Sequence, residues 1–382
     1  MQLVPRLDTG GVERGTIEMT EAIVDAGGRA IVVTSGGTQA LRVPKAGGEL
    51  IELDVASKNP LTIWRNAGRL AGLVRSQGVD VIHARSRAPA WSGYFACKRT
   101  GVPFVTTFHG TYNEDLPFKR LYNSVMARGR PVIAVSEFIR ELIVERYPVP
   151  DDQIVVIPRG ADIGVFSEEM VGNERSVSLA ERWGLLDDPR PVIMLPGRLT
   201  RWKGAESMIE AAARLKQMRG GADFLVLIVG DDMSGGSFAR TLDQKIEDCG
   251  AGDCIVRVDA VTDIAAAYKL AAVVVSASIE PEAFGRVVVE AQAMGRPVVA
   301  TDHGGARETV AHGESGWLYP PGDAAALAAM MNDALSLDAS ERAHTGMAAR
   351  ARVHTSYTVA AMQRATLKVY ENATGRSFDR RV

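Results

Sequence analysis

Residues 281–298 read Pro281-Glu-Ala-Phe-Gly-Arg-Val-Val-Val-Glu290-Ala-Gln-Ala-Met-Gly-Arg-Pro-Val298. An apolar, β-branched run at 272–275 precedes them, a Glu-Ala-Phe-Gly turn follows, and a helix begins. Strand, turn and helix in that order form the repeating unit of a parallel α/β sheet. The helix start leaves unpaired backbone N–H groups beside the carboxyl end of the sheet, a place that binds phosphate readily. Glu282 lies just before the helix and Glu290 inside it, eight residues later, a rise of about 12 Å. A diphosphate at the helix start then has one carboxylate on either side. Carboxylates accept hydrogen bonds from hydroxyls, and a nucleoside diphosphate sugar has a hydroxylated ring on each side of its phosphates. Glu290 fits the ribose and Glu282 the sugar. An arbitrary pair of surface glutamates is the competing reading, and the flanking sequence weighs against it.

The same unit recurs along the chain. Pro196-Gly-Arg198-Leu-Thr-Arg-Trp-Lys203-Gly also follows an apolar strand and precedes a helix. Arg198 offers a planar fork of donors and Lys203 a point charge, a pairing suited to two adjacent phosphates. Strand-like runs at 30–34, 79–82, 104–107 and 132–135, then 192–195, 224–229, 255–258, 272–275 and 297–300, alternate with helical stretches. They predict two doubly wound domains in tandem, joined through the charged, Gly- and Pro-bearing segment 158–190. A closing helix at 360–372 has no strand after it, so it either crosses back to the first domain or caps the second. Gly10-Gly11 after the first strand lets backbone approach a ligand closely. Its spacing is wrong for the three-glycine dinucleotide fingerprint, which disfavours a nicotinamide dehydrogenase. His109 ends a strand of the first domain, where it could reach a reacting sugar, although a lone histidine is more often a packing residue.

Length and composition agree with this division, since 382 residues exceed what one core usually holds, and 46% hydrophobic with 24% charged residues is a globular mixture. No apolar run approaches the roughly 18 residues of a membrane span. The first residues lack a secretory pattern, which gives a cytoplasmic expectation. Cys97, Cys249 and Cys254 make neither a disulfide framework nor a zinc knuckle. The net charge of −2 conceals an asymmetry: residues 1–150 hold 19 Lys and Arg against 14 Asp and Glu, while 151–382 hold 25 against 32. Between 58 and 99 eight cations face one acid, Asp80. Such a bias suits an anionic surface or acceptor, with an ordinary solvated helix face as the equal alternative.

Taken together, Gly10-Gly11-Val-Glu13, Phe108-His109-Gly110, Ala134-Val-Ser136, Ile157-Pro-Arg-Gly160, Arg198 with Lys203, Gly230-Asp231, Glu282 with Glu290, and Gly304-Gly305-Ala-Arg-Glu308 followed by Gly313-Glu-Ser-Gly316-Trp resemble glycosyltransferase family 4 over essentially the whole chain. The resemblance implies the α/β GT-B fold, two Rossmann-like doubly wound domains facing across a cleft. Residues 1–165 would bind acceptor, 166–355 the nucleotide sugar, and 356–382 would pack back on the first domain. It implies retaining transfer from a nucleotide sugar, with no metal and no cofactor beyond that donor. Arg198 and Lys203 would hold the diphosphate, near Gly230, and Glu290 the ribose. Glu282 and the backbone of Phe284, Gly285 and Arg286 would hold the transferred sugar and phosphate. Gly11 would approach the phosphate, and His109 would donate a hydrogen bond to the sugar. Arg198, Lys203, Glu282 and His109 are the implied catalytic set.

More narrowly, residues 4–14, His83-Ala-Arg-Ser-Arg87-Ala-Pro-Ala-Trp91 and the 196–204 run are similar to lipopolysaccharide core glycosyltransferases, including mannosyltransferases that use GDP-mannose. That similarity implies an anionic lipid A–core acceptor at the cytoplasmic face of a membrane, peripheral attachment, Arg85 and Arg87 as acceptor-binding residues, and no nucleic-acid partner. A UDP-sugar-dependent member acting on another polysaccharide or a small glycoside is the alternative. A non-catalytic sugar-binding protein is the reading from outside the enzymes.

Overall fold

The computed structural model describes every residue apart from Thr9, Met233 and 379–382, with Pro117 described by its backbone alone. The described chain forms two compact units, residues 1–159 with 359–382, and residues 160–358. The first boundary therefore lies earlier than residue 165 and the second later than residue 355. The reason is local. Ala161 N donates to Tyr357 O at 2.9 Å, and Ala161 bridges Thr358 in parallel, so residues just past 159 are tied into the second unit. The connecting segment also contains a helix, Asn173–Arg182, that the charge-rich sequence conceals. Leu179 and Ala180 bury one side of it, while Arg175 makes a two-pronged ion pair with Asp263 at 2.7 and 2.8 Å.

The first unit is a seven-stranded parallel sheet. Its strands are Gln2–Leu3 (β1), Ile31–Thr34 (β2), Glu49–Glu52 (β3), Ile82–Ala84 (β4), Phe104–Phe108 (β5), Val132–Ala134 (β6) and Ile154–Val156 (β7), in the order β3-β2-β1-β4-β5-β6-β7. Most are short and β-branched, buried on both faces as parallel strands are. The strand expected at 79–82 runs at 82–84 instead, where Gln2 and Leu3 pair with His83 and Ala84. The edge strand β3 escapes sequence reading because Glu49 and Glu52 are exposed at its ends.

The second unit has six parallel strands: Val192–Pro196 (β8), Leu225–Val229 (β9), Ile255–Val258 (β10), Ala271–Ser276 (β11), Val298–Thr301 (β12) and Gly316–Tyr319 (β13), in the order β10-β9-β8-β11-β12-β13. Its core joins Ile193, Leu195, Val226, Ile228, Val273 and Val275 to Met208, Leu215, Leu327 and Met331 on the covering helices. In both sheets the order reverses beside the first strand of the unit. Loops that leave the carboxyl ends of β1 and β4, and of β8 and β11, therefore part to opposite sides and open a crevice.

The C-terminal helix Val359–Thr374 belongs to the first unit. Met362, Val369 and Tyr370 pack against Met19, Ile23, Val105, Ile133 and Ile157, and the Tyr370 hydroxyl lies 2.6 Å from His83 Nδ1. Truncation of a buried aromatic removes both transferred area and its hydrogen bond. Tyr370→Ala is expected to cost about 3–5 kcal/mol in urea unfolding of the first unit. A midpoint equal to that of the wild type would remove this helix from the core of that unit.

Candidate active site

In the second unit, the loop after β8 carries Gly197–Gly204 and the loop after β11 carries Ala277–Gly285, one on each side of the strand-order reversal. They meet at an ion pair. Lys203, in the single 3-10 turn Arg201–Lys203, places Nζ 2.7 Å from Glu282 Oε1, and both side chains are more than four-fifths buried. The Ser278 hydroxyl donates to the same Oε1. Among the described residues, no donor reaches Oε2. Burial pushes the Glu282 carboxyl up, but the Lys203 ammonium, the Ser278 hydroxyl and nearby His303 outweigh it, and the group stays below its ordinary range.

Three further contacts hold this arrangement. Ile279 N donates to Trp202 O at 2.8 Å, which joins the two loops directly. His303 Nε2 lies 2.8 Å from Ser278 O. Gly305 N donates to Glu282 O at 2.9 Å, and a Cβ at Gly305 would stand 2.5 Å from Phe284 Cα, so only glycine lets the loop after β12 pass under the Glu282 turn. Ser278 and His303 were not legible as site residues. Ser278 is buried among ordinary loop residues, and His303 arrives from a different strand.

Gly285, in the left-handed region at φ 84°, starts the helix Arg286–Ala293. Its first turn keeps the N–H groups that an α-helix leaves unpaired. Phe284 is buried and packs edge-on against Tyr357, centroids 5.6 Å apart. Glu290, 7% exposed, lies 3.4 Å from Arg286 Nε one turn back and accepts from the Tyr268 hydroxyl at 3.3 Å. Arg198 is exposed on the β8 loop. Gly230 follows β9 directly, where a Cβ would stand 1.8 Å from Gly197 O, so its smallness serves packing of the two loops. Thus Lys203, Glu282, Phe284, Gly285, Arg286, Glu290, Arg198 and Gly230 share the carboxyl end of one sheet. Beside them, residues 257–263 with Arg182 and Trp183 line a concavity of about 600 Å³ at the end of β10.

In the first unit, Gly11 starts the helix Gly11–Asp25, and its carbonyl accepts from Arg159 Nη2 at 2.7 Å. His109 follows β5 directly, and its Nε2 is buried without a hydrogen-bond partner among the described residues. Arg85 does not stand where an acceptor-binding residue should. It is 2% exposed, and its Nε donates to Gln2 Oε1 at 2.8 Å. Strand alternation explains this: Arg85 continues the β4 ladder through Arg85 N to Leu3 O and shares a sheet face with His83, the face covered by Tyr370. Arg87 is half-buried, donates to Asn123 Oδ1 at 2.8 Å and lies 4.4 Å over the Tyr112 ring. Neither arginine is a free surface cation.

Residues 180–352 match the glycosyl transferases group 1 family and residues 9–165 match glycosyltransferase family 4. A crystal structure of a glycosyltransferase from Rickettsia africae is 36% identical, covers 98% of this chain and 99% of its own, and superposes with a TM-score of 0.89. The chain is a family 4 glycosyltransferase. A D-inositol 3-phosphate glycosyltransferase from Xylanimonas cellulosilytica is 28% identical over 97% of this chain and 93% of the relative. The Anabaena protein HepE, solved with UDP-glucose, shares the fold at 23% identity and a TM-score of 0.83, covering 97% of this chain and 98% of its own. The glycosyltransferase is thus an enzyme of GT-B type, its two Rossmann-like units each built on a parallel sheet.

Two histidines of this glycosyltransferase make its stability depend on pH. Burial, with Arg85 and other cations near His83 and with Arg159 and Arg85 near His109, pulls both imidazoles well below their ordinary value. Both stay neutral in the folded protein, whereas the unfolded chain takes up their protons below about pH 6.5. The unfolded state then binds more protons, so stability falls as pH drops, by at most about 1.4 kcal/mol per pH unit for each group. The melting temperature is expected to decline from pH 7 to pH 5, and less steeply in His109→Gln. A level or rising profile would contradict the neutral assignment.

Proposed function

We propose that the glycosyltransferase moves a hexose, with retention at its anomeric carbon, from a nucleoside diphosphate sugar bound by the second unit to a hydroxyl of an anionic glycolipid of the lipopolysaccharide-core type. The Lys203–Glu282 pair across the strand-order reversal carries this reading. A lysine ammonium has three N–H donors. One is taken by Glu282 at 2.7 Å, and the others are available to the diphosphate. Glu282 in turn has Oε2 open to accept from a sugar hydroxyl. The two halves of the donor are thereby recognised by one coupled pair.

In the reaction, the bond between the anomeric carbon and the β-phosphate oxygen breaks, and the acceptor oxygen bonds to that carbon on the same face. The acceptor proton passes to the departing phosphate oxygen. Charge that accumulates on the diphosphate is met by Lys203, Arg198 and the N–H groups at the start of the helix Arg286–Ala293, without a metal. Glu290, held by Arg286 and Tyr268, takes the ribose hydroxyls, and the concavity beside residues 257–263 takes the base. The roles of Gly11 and His109, which lie in the first unit, rest on the resemblance to the family. Removing a positioned electrostatic donor commonly costs 10²–10³ in rate. Lys203→Ala and Glu282→Ala are each expected to lose about that much transfer activity, and near-wild-type turnover in both would remove the site.

The donor base is open to a direct measurement. UDP-glucose in HepE supports a uridine donor, while the lipopolysaccharide-core motifs support GDP-mannose. Thermal shift with UDP and GDP separates them, since a ligand at 100 times its Kd stabilises by about 2.7 kcal/mol. A shift with UDP alone excludes GDP-mannose, and a shift with GDP alone excludes the uridine donor. No shift with either would overturn the nucleotide-sugar reading.

A further inference from the structure

The motif Ile157-Pro-Arg159-Gly160 stands where the chain first leaves the first unit, and Arg159 is its last residue there. The side chain turns back into that unit and is 7% exposed. Its Nη2 donates to the Gly11 carbonyl at 2.7 Å, and its Nη1 donates to Met362 Sδ at 3.3 Å. One guanidinium thus touches both the start of the helix Gly11–Asp25 and the helix Val359–Thr374, by which the chain re-enters the unit. Ile157, two residues earlier, is buried in the core with Met19 and Met362, which fixes the backbone from which the arginine projects.

The helix makes room for this side chain. Gly15 lies inside the helix Gly11–Asp25 without a positive φ, so its backbone conformation does not call for glycine. Glycine inside a helix weakens it relative to alanine. What calls for it is space, because a Cβ at residue 15 would stand 1.8, 2.6 and 2.8 Å from Nη2, Cζ and Nη1 of Arg159, the three nearest atoms. The guanidinium occupies the place of a side chain at residue 15. Ahead of it, the N-cap residue Gly10 has no side chain with which to cap the helix, and two adjacent glycines are the most permissive backbone a chain can carry. Arg14 N donates to Gly10 O at 3.1 Å within the first turn, whereas Arg159 is a donor from outside the helix. A charged donor on Gly11 O fixes the planar Gly11–Val12 peptide. That plane also carries Val12 N–H, one of the first N–H groups, which an α-helix leaves without an internal partner. The same cation acts on His109, where after burial it does most to keep the imidazole neutral.

We propose that Arg159 is a positioning residue for transfer: its guanidinium, seated in the space that Gly15 leaves, holds the Gly11–Val12 peptide in the orientation in which the glycine loop meets the donor diphosphate. The inference rests on the nucleotide-sugar reading for the identity of that ligand. It goes beyond that reading by assigning the geometry of the loop to an arginine 148 residues away in sequence, which acts through Gly11, and by giving Gly15 the role of admitting it.

Three variants of the full chain test it: Arg159→Met, Arg159→Lys, and Gly15→Ala, which displaces the guanidinium without altering it. Release of nucleoside diphosphate is followed with UDP-glucose or GDP-mannose, according to which base gives the thermal shift. Arg159→Met and Gly15→Ala are each expected to lower kcat by about 10- to 100-fold, the cost of a misplacement of about 1 Å, with KM for the donor kept within about twofold. Arg159→Lys, which keeps a donor for Gly11 O, should retain more activity than Arg159→Met. The double variant Arg159→Met with Gly15→Ala should lose no more than either change alone, since both break the same contact. The shift with UDP or GDP is expected to match the wild type throughout. Hydrogen exchange of the amides of residues 11–16 reads the loop without a donor, and should quicken by ~10-fold in Arg159→Met. A wild-type kcat in Gly15→Ala overturns the proposal even where Arg159→Met is impaired, because an arginine with a merely structural role gives that pair of results. A raised KM at unchanged kcat overturns it as well, and so does unaltered exchange at 11–16. The two readings fail separately: a wild type that shifts with neither nucleotide sinks the donor site, while exchange at 11–16 decides the positioning on its own.

Discussion

A single constraint organises the second unit: its parallel sheet reverses strand order between β8 and β11, so the loops after those strands diverge and must be rejoined across the crevice, by the Ile279 N–Trp202 O backbone bond and by side chains. They close through Lys203 and Glu282. Two charges buried this far from water lose hydration that their mutual attraction does not guarantee to return. Here the cost is offset in part by hydrogen bonding, since Ser278 donates to the same carboxylate oxygen that Lys203 meets. The loop after β12 adds a backbone donor beneath the turn. The pair is held from four directions before any donor arrives, which is the preorganisation that electrostatic catalysis requires.

The same logic explains how charge is distributed. Divided at the boundaries of the units, the chain carries 25 Lys and Arg against 18 Asp and Glu in the first, and 19 against 28 in the second. The units therefore hold about +7 and −9. In the acidic unit Lys203 and Arg286 are enclosed beside carboxylates, while the basic unit spreads exposed cations such as Arg65, Arg69, Lys98 and Arg99 over its helices. Net charge describes neither. What matters is whether a cation is stacked, paired or buried, and Arg65, Arg87 and Arg85 are examples of exposed, stacked and buried states within 23 residues of sequence.

How much of this was legible follows from the same distinction. Strand, turn and helix around residues 281–298 give the parallel sheet and single out Glu282 and Glu290, because hydrophobic period and turn chemistry are local properties. The edge strand β3 and the helix Asn173–Arg182 were lost because exposed glutamates and dense charge mask their short apolar faces. Arg85 departs from the sequence expectation for a related reason: the basic run reads as one surface, whereas strand alternation turns that residue inward with His83. Ser278 and His303 could not be found at all. Their contribution depends on contacts between loops that lie 25 residues apart, a tertiary fact with no sequence period.

The first unit is discontinuous in the chain, entered again only at Val359 after the whole of residues 160–358. Met362, Val369 and Tyr370 complete a core whose other members, Met19, Ile23, Val105, Ile133 and Ile157, precede them by 205 residues or more. Synthesis from the N-terminus therefore delivers the first sheet with one face of β4, β5 and β6 incompletely covered until the helix Val359–Thr374 emerges. The second unit, contiguous in sequence, has every strand and helix of its own core by then. In biogenesis the order of completion is the reverse of the order of translation: the second unit closes first, and the first unit is finished only by the helix Val359–Thr374.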